Sequence, residues 1–162
     1  MPIAYIALGS NLGDRLGRML RALELLEQIG VSVLRTSPVY ENRAIGMGKV
    51  AVDFLNSVVE VKSDLAPMPL LEACLEIEQN LGRIRSGDTW LPRTIDLDLL
   101  YIEGVEMNEK RLTLPHPRIA ERDFVAVPLA DLVPDLKIAG QEVREMVEAL
   151  SVNELRLYPE AL

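Results

Sequence analysis

The chain has 162 residues, a formal net charge of −8 and a single cysteine. A chain of this length can bury roughly 70% of the surface that its unfolded form exposes, so it needs neither a disulfide nor a metal merely to fold. The acidic balance argues against a nucleic-acid or anionic-membrane partner, because such partners recruit a basic surface. No apolar run approaches the ~20 residues of a membrane span, and the N-terminus has no basic leader region. We therefore expect one cytoplasmic domain over residues 1–162.

The first part of the chain predicts a strand, a helix and two more strands. Residues 3–8 are an apolar run of strand-forming residues, and residues 9–14 are a cluster of turn and helix-capping residues. Apolar residues then recur at helical spacing as far as Gly30, a residue suited to a helix end. Residues 31–40 and 52–61 are predicted to be the second and third strands, joined by a loop longer than a tight hairpin needs.

The next part predicts a second helix and a fourth strand. Pro67 suits the first turn of a helix and Gly82 its end, and an apolar stripe lies between them. Residues 95–102 form the fourth predicted strand. The order β-α-β-β-α-β is that of a ferredoxin-like α+β fold, in which two helices cover one face of the sheet. The proline-rich last third should add a C-terminal extension of short helices and strands.

Two acids, Asp96 and Asp98, lie in the fourth predicted strand. Residues two apart in a strand point to the same side, about 6.6 Å apart along the chain. Adjacent carboxylates repel each other and are disfavoured on a half-buried face, whereas a bound divalent cation removes both objections. Oxygen ligands of this kind suit Mg²⁺. The alternative is a pair of solvent-facing acids that only aid solubility.

Arginines flank these acids although the chain as a whole is acidic. Guanidinium groups beside metal-binding carboxylates are the parts that a phosphoryl-transfer site needs, and scattered surface arginines are the alternative for several of them. The chain has no phosphate-binding glycine-loop motif, so side chains and metal would have to hold phosphates. The flanking arginines are Arg83, Arg85, Arg93, Arg111, Arg118 and Arg122.

Three further residues have competing interpretations. Glu78 lies in the apolar stripe of the second predicted helix, where it either ends the buried stripe or faces the arginine-rich loop as an ion-pair partner near the site. His116 is the only histidine, and a lone histidine is more often structural than catalytic. Cys74, on the same stripe as Glu78, is most simply a small core residue.

Five sequence blocks occur here in the order that is known from one enzyme family. They are GSNLGD at residues 9–14, FLN at 54–56, GRIR at 82–85, WLPRTIDLD at 90–98 and LPHPR at 114–118. Together they make the chain resemble 6-hydroxymethyl-7,8-dihydropterin pyrophosphokinase from residue 3 to about residue 135. The resemblance implies a kinase of folate biosynthesis that transfers pyrophosphate from ATP to the pterin hydroxymethyl group and releases AMP.

The resemblance also implies a role for individual residues. Asp96 and Asp98 would hold two Mg²⁺ ions, and Arg83 and Arg93 would stabilise the transferring group. A flat heteroaromatic ring is bound by aromatic faces and an amide, which agrees with the implied pterin contacts. The implied ATP contacts are Arg85, Trp90, Arg111, Thr113, His116 and Arg122. The implied pterin contacts are Asn42, Ile45, Phe54, Asn56 and Phe124.

The arginine-rich loop departs from the family pattern at three positions. Thr89 and Ser86 stand where the family usually has basic residues, and Leu91 stands where it usually has a small one. One ATP contact is therefore either lost or supplied elsewhere.

Two other functions are compatible with parts of the pattern. A ferredoxin-like sheet can bind RNA, but this requires exposed aromatic residues and a basic surface. A different Mg²⁺-dependent nucleotidyl transferase or nuclease could use the same two acids. Convergence of Phe54, Asn56 and Phe124 on one small pocket would exclude that second alternative. We expect a monomer that acts on small molecules.

Overall fold

An antiparallel sheet and two long helices form the first two-thirds of the protein. The computed structural model describes residues 1–11, 13–42, 53–82, 95–152 and 155–162. The strands are β1 Ile3–Ser10, β2 Ser32–Thr36, β3 Tyr40–Asn42, β4 Phe54–Lys62, β5 Asp96–Ile102, β6 Met107–Asn108, β7 Thr113–Leu114, β8 Lys137–Ile138, β9 Gln141–Glu142 and β10 Leu155–Leu157. The helices are α1 Arg15–Gln28, α2 Pro67–Asn80, α3 Asp123–Leu132 and α4 Val143–Ala149, with a 3-10 helix at Ile119–Glu121.

Both predicted long helices are confirmed, and their ends have clear local causes. The Asp14 side chain caps α1 by accepting a hydrogen bond from the Gly17 amide at 3.0 Å. Helix α2 begins at Pro67, whose missing N–H costs nothing in the first turn. Gly30 and Gly82 follow the two helices and have φ angles of 88° and 109°. Residues that carry a side chain rarely adopt such positive values, so glycine suits both helix ends.

The central sheet has the strand order of a ferredoxin-like fold. Its order is β10-β3-β4-β1-β5, and β2 also pairs with β4. Every pairing in it is antiparallel. Strand β10 comes from the C-terminal extension and covers the edge of β3, as the predicted extension with strands allows. The α+β class and the core topology are therefore confirmed. None of the helices in the described part of the chain has the length and apolarity that a membrane span needs.

The predicted second strand, residues 31–40, is wrong as a single element. It consists of β2 and β3, separated by a break that contains Pro38. Proline has no N–H to donate to a ladder, so it interrupts pairing there. The break is fastened by Ser37 instead: its amide donates to the Val58 carbonyl at 2.9 Å, and its hydroxyl lies 2.9 Å from that of Ser57.

The two faces of the sheet have separate cores. Helices α1 and α2 pack on one face, where Ile6, Leu8 and Leu97 are buried. The C-terminal helices α3 and α4 pack on the other face, where Tyr5 and Val58 are buried. We call these the helix-pair face and the α3 face. Two helices on one face were predicted, whereas the covering of the opposite face by the C-terminal extension was not.

Candidate active site

Asp96 and Asp98 lie on the α3 face at the start of β5. Asp96 pairs with Gly9 and Asp98 with Ala7, and directly paired residues share a face. Leu97, between them, is buried on the helix-pair face. The prediction that both carboxylates point to one side is therefore confirmed. Each acid is half-buried, and the Asp98 side chain makes no hydrogen bond or ion pair with any other described residue.

A cleft of about 390 Å³ runs along the outer edge of β5, between α2 and the segment 110–117. Among the described strands of the sheet, β1 alone pairs with β5, and the other edge of β5 faces this cleft. The cleft brings together both acids and three of the predicted ATP contacts. Its polar lining residues are Glu78, Asp96, Asp98, Lys110, Arg111, Thr113 and His116.

Glu78 connects α2 to the edge of β5. Its carboxylate accepts a hydrogen bond from the Leu97 amide at 3.4 Å, and the residue is only 3% exposed. Leu97 lies between Asp96 and Asp98, so Glu78 is beside the two acids rather than at a frayed helix end. The position of Glu78 beside the acids agrees with a place near the site, whereas its predicted ion pair with the arginine-rich loop lies outside the described residues. The same cluster affects Cys74: burial, and then Glu78 and Asp98, raise the pKa of its thiol to about 12.

His116 is held at the cleft by its main chain and its ring. Its amide donates to the Leu100 carbonyl at 2.8 Å, and its Nδ1 accepts a hydrogen bond from the Arg118 amide at 3.1 Å. Burial lowers the pKa of His116 below its usual value, an effect that Asp98 opposes and that Arg122 reinforces. The imidazole is therefore neutral at pH 7, which leaves Nδ1 free of a proton and able to accept.

Most of the placed pterin contacts predicted from the sequence lie on β3 and β4, on the α3 face of the sheet. Asn56 is 5% exposed and donates to the Asn42 side-chain oxygen at 2.5 Å. Phe54 pairs with Asn42, and Asn56 pairs with Gly9 of β1. A Cβ atom added at Gly9 would lie 3.6 Å from Asn56 Oδ1 and 4.0 Å from Phe54 Cδ1. Two predicted pterin contacts, Asn56 and Phe54, thus border a strand position that has no side chain, and a third, Asn42, bonds to Asn56. Phe124 belongs to the first turn of α3 and packs against the core of this face.

Gly9 is the site residue that the sequence prediction missed. The prediction placed residues 9–14 in a turn, but β1 continues through Gly9 to Ser10. Register pairs Gly9 with Asp96 on one side and Asn56 on the other, so the glycine separates the acids from the amide by about 10 Å. A glycine inside a strand often marks the close approach of a ligand, and that signal could have identified it.

Several predicted site residues cannot be placed. Arg83, Arg85, Trp90, Arg93 and Ile45 lie outside the described residues, as do Ser86, Thr89 and Leu91 of the departing loop. Among the placed contacts, Arg111 is exposed and lies 3.8 Å from Glu72. The Arg122 guanidinium lies 5.8 Å from the centre of the Phe124 ring, so this predicted ATP contact touches a predicted pterin contact.

The donor set of Asp96 and Asp98 fits a magnesium site of the kind that substrate completes. The described ranges contain no group of three or more His, Cys, Asp or Glu residues arranged to hold a metal. Mg²⁺ is commonly bound through one or two carboxylates, with water and substrate phosphates as the other ligands. Two carboxylates on one face beside an open cleft meet that requirement, whereas an all-protein metal cage would not be consistent with these residues.

A family model described as 7,8-dihydro-6-hydroxymethylpterin-pyrophosphokinase (HPPK) matches residues 5–134. The 2-amino-4-hydroxy-6-hydroxymethyldihydropteridine pyrophosphokinase of Methylorubrum extorquens is 44% identical over 152 residues, which are 93% of this chain and 94% of that protein. The protein of the same name from Bacillus subtilis is 46% identical over 131 residues, or 80% of this chain and 77% of that one.

Longer proteins contain a similar region. The folic acid synthesis protein fol1 of Schizosaccharomyces pombe is 40% identical over 159 residues, and the chain spans 21% of its length. A crystal structure of HPPK-DHPS from Plasmodium falciparum superposes with a TM-score of 0.71 at 16% identity, over 91% of this chain and 45% of that one. At that identity the structural likeness supports the fold alone. From the family match and the relatives aligned over most of their length, we conclude that the chain belongs to the 7,8-dihydro-6-hydroxymethylpterin-pyrophosphokinase family.

Proposed function

We propose that this protein transfers the pyrophosphoryl group of ATP to the hydroxymethyl group of 6-hydroxymethyl-7,8-dihydropterin in folate biosynthesis. The products are AMP and the pterin diphosphate. Membership of the family supports this reaction, and one structural observation supports the location of the site. The polar cleft along β5 and the strand position Gly9, bordered by Asn56, lie on opposite sides of Asp96, as two substrates that meet at the acids would require.

ATP would lie in the cleft along the outer edge of β5. Arg111 and Lys110 would offer positive charge to the phosphates, and the Thr113 hydroxyl would offer a hydrogen-bond donor. The neutral ring of His116 can bind through Nε2 while Nδ1 stays occupied by the Arg118 amide. Arg122, which contacts Phe124, would join the nucleotide side of the site to the pterin side.

The pterin would lie on the α3 face above Gly9. Asn56 and Asn42 already bond to each other, which orients their remaining amide groups toward the edge of a flat ring. Phe54 and Phe124 supply aromatic faces, and a ring bound between them would be stacked. The hydroxymethyl group would then point along the Asp96–Gly9–Asn56 line toward the acids.

Asp96 and Asp98 would hold two Mg²⁺ ions together with the ATP phosphates. When bound, such ions neutralise the charge on the attacked phosphate. The pterin hydroxyl oxygen forms a bond to the β-phosphorus as the bond from that phosphorus to the α,β-bridging oxygen breaks. The hydroxyl proton passes to solvent water, and AMP leaves with the bridging oxygen. The task of the surrounding residues is to align the two substrates and exclude water.

Arg83 and Arg93 would act on the transferring group, a role that rests on the family resemblance. If they bind more tightly as charge develops in the transition state, Arg93→Ala should lower kcat by roughly 10²- to 10³-fold with little change in ATP affinity. Arg111→Ala should instead raise the KM for ATP more than it lowers kcat. Single-turnover rates and equilibrium ATP binding measure the two effects. A hundredfold weaker ATP affinity with a normal single-turnover rate in Arg93→Ala would contradict this assignment.

The decisive experiment identifies the nucleotide product. Protein, ATP and the dihydropterin alcohol are incubated with and without Mg²⁺, and the nucleotides are separated. We expect AMP in proportion to pterin consumed, and none without metal. ADP as the product would contradict the proposed reaction, and AMP formed without pterin would favour the nucleotidyl transferase or nuclease alternative. The cytoplasmic location and the monomeric state stay predictions of the sequence.

A further inference from the structure

Four charged side chains form a cluster where α1, β3, β4 and β10 meet. Arg15 Nη1 donates to Glu41 Oε2 at 2.5 Å and to the Asp53 carbonyl at 2.7 Å. Arg156 Nη2 donates to the other carboxylate oxygen of Glu41 at 3.2 Å and to Asp53 Oδ2 at 3.0 Å. Each arginine thus binds both Glu41 of β3 and Asp53, the residue before β4. We call these four residues the arginine clamp.

The Arg15–Glu41 pair of the arginine clamp is more protected than an ordinary surface ion pair, whereas the side chain of Arg156 is 55% exposed. The side chains of Arg15 and Glu41 are each 21% exposed, whereas those of the Arg21–Glu24 pair on α1 are 50% and 62% exposed. The Arg15 guanidinium also lies 5.7 Å from the centre of the Tyr158 ring, just beyond β10. Partial burial reduces screening by salt, and a network of charges holds its geometry better than an isolated pair.

The residues that the clamp holds are the immediate neighbours of two predicted pterin contacts. Glu41 precedes Asn42, and Asp53 precedes Phe54. Successive residues of a strand point to opposite faces. Glu41 pairs with the buried Leu55 on the helix-pair face, while Asn42 and Phe54 pair with each other on the α3 face. The arginine clamp therefore holds these strand ends through Glu41, on the helix-pair face, while the predicted pterin contacts lie on the α3 face of the same strand ends.

Side-chain hydrogen bonds add to the backbone pairing at these strand ends. Within the described ranges, β3 pairs with β4 through three residue pairs and β10 pairs with β3 through three. A slip by one residue would move Asn42 to the wrong face of the sheet and away from Asn56. The two arginines bind Glu41 and Asp53 and so help to fix the register that places Asn42 beside Asn56.

We propose that Arg15 and Arg156 are positioning residues for pterin binding, which act by holding Glu41 and Asp53 and thereby Asn42 and Phe54. This inference rests on the proposed function. It assigns to the C-terminal strand β10, which carries Arg156 and lies at the opposite end of the described strand order from β5, a specific effect on one of the two substrates.

The experiment compares Arg156→Ala with Arg144→Ala. Arg144 also lies in the C-terminal part, has a similarly exposed side chain and pairs with two acids, Asp135 and Glu142, neither of which belongs to β3, β4 or β10. We expect Arg156→Ala to raise the Kd and KM for the pterin about three- to tenfold, in keeping with the loss of a partly exposed pair in a network. ATP affinity and kcat at saturating pterin should stay within about twofold. Arg144→Ala should change neither substrate, and Arg156→Lys should restore part of the pterin affinity.

A second variant tests whether Arg156 acts through Glu41. Glu41→Gln removes the charge with little change of shape, so its effect and that of Arg156→Ala should combine to less than the product of the two. Unchanged pterin affinity in Arg156→Ala, equal losses for both substrates, or an equal loss in Arg144→Ala would overturn the inference. If the wild-type protein binds no dihydropterin, the proposed function fails as well. If the wild-type protein binds the pterin and the clamp variants bind it with unchanged affinity, the inference alone fails.

Discussion

Two rows of residues cross the α3 face of the same sheet, four residues apart along β1. The Tyr5 row consists of Tyr101, Tyr5, Glu60 and Arg35, in register across β5, β1, β4 and β2. The Gly9 row consists of Asp96, Gly9, Asn56 and Tyr40, in register across β5, β1, β4 and β3. Each row contains a buried or half-buried carboxylate. They differ in the residue that β1 contributes, which is a tyrosine in one and a glycine in the other.

The Tyr5 row satisfies its own carboxylate. The Tyr5 hydroxyl donates to Glu60 at 2.9 Å, and Arg35 donates to both Glu60 oxygens at 3.1 and 2.7 Å. The Tyr5 ring also packs 6.1 Å from that of Tyr101. The side chain of Tyr5 fills the central position of this row. The Tyr5 hydroxyl, Glu60 and Arg35 serve stability, because each has a partner within the protein.

The Gly9 row leaves room where the Tyr5 row has a ring. Tyr40 and Asn56 are fastened at one side, by bonds to Asp131 of α3 and to Asn42 respectively. In the register of the described strands, the residue between Asn56 and Asp96 is Gly9, which contributes no side chain. A row of polar residues on a sheet thus becomes a candidate binding site when its central side chain is absent, since a ligand can then reach both ends.

The largest expected effect is that of replacing Asp98, which lies next to the Gly9 row: activity should be lost while stability is kept. Asp98→Asn should lower kcat by about 10³-fold or more, because a metal-binding carboxylate contributes several kcal/mol to the stabilisation of the transferred charge. Without metal, the free energy of unfolding should stay unchanged or rise slightly, since repulsion from Asp96 is removed. Single-turnover kinetics and urea denaturation measure the two quantities. A loss of several kcal/mol in stability would mark Asp98 as a structural residue.

Filling the gap in the Gly9 row should block one substrate. Gly9→Ala adds a methyl group at ordinary contact distance from Asn56 and Phe54, so the fold should tolerate it. A ligand lying on the strand would be displaced, at a cost of about 1–3 kcal/mol as in overpacked cores. We expect the pterin Kd to rise about 10- to 100-fold, measured by calorimetry. ATP binding by the same variant is the control, and an equal loss for ATP would contradict a pterin pocket at Gly9.

The Tyr5 row should respond in the opposite way. Glu60→Gln should lower the free energy of unfolding by about 1–2 kcal/mol through its charged hydrogen bonds to Arg35, which is half-exposed. Its kcat should be unchanged. Hydrogen bonds from Arg35 lower the pKa of Glu60, so this stability is present above the ordinary carboxyl pKa and is lost as pH falls through the folded one. Urea denaturation of wild type and variant at neutral and acidic pH tests this. A difference that grows on acidification would be the wrong sign.

The smallest expected effect concerns His116, at the cleft next to the Gly9 row. Burial lowers the pKa of His116 in the folded protein below its ordinary value of 6.5. At acidic pH the unfolded chain therefore binds more protons at this residue than the folded protein does. Its contribution to stability is therefore present above that value and is lost as pH falls. His116→Asn keeps an acceptor for the Arg118 amide but does not titrate. On going from about pH 7 to pH 5, both proteins should lose unfolding free energy. The His116→Asn variant should lose less than the wild type, by a fraction of a kcal/mol. Parallel pH profiles would contradict the burial effect.

Local sequence signals determined much of the fold. The start of α2 follows from Pro67, the ends of α1 and α2 are marked by Gly30 and Gly82, and the shared face of Asp96 and Asp98 follows from strand alternation. These features depend on backbone geometry over a few residues, which the chain itself specifies. The break at Pro38 is also marked in the sequence, because a proline inside a predicted strand indicates an interruption of its pairing.

The site depended on pairings between distant parts of the chain. Periodicity could not show that Gly9 would stand between Asp96 and Asn56, because strand order and register are decided by which strands bury their apolar faces together. For the same reason Glu78 kept two interpretations until α2 was packed against β5. The arginine clamp joins residues more than a hundred positions apart, and no local pattern predicts such a contact. Sequence alone therefore determined the elements, the family resemblance and the chemistry of single residues, whereas tertiary packing decided which residues share a pocket.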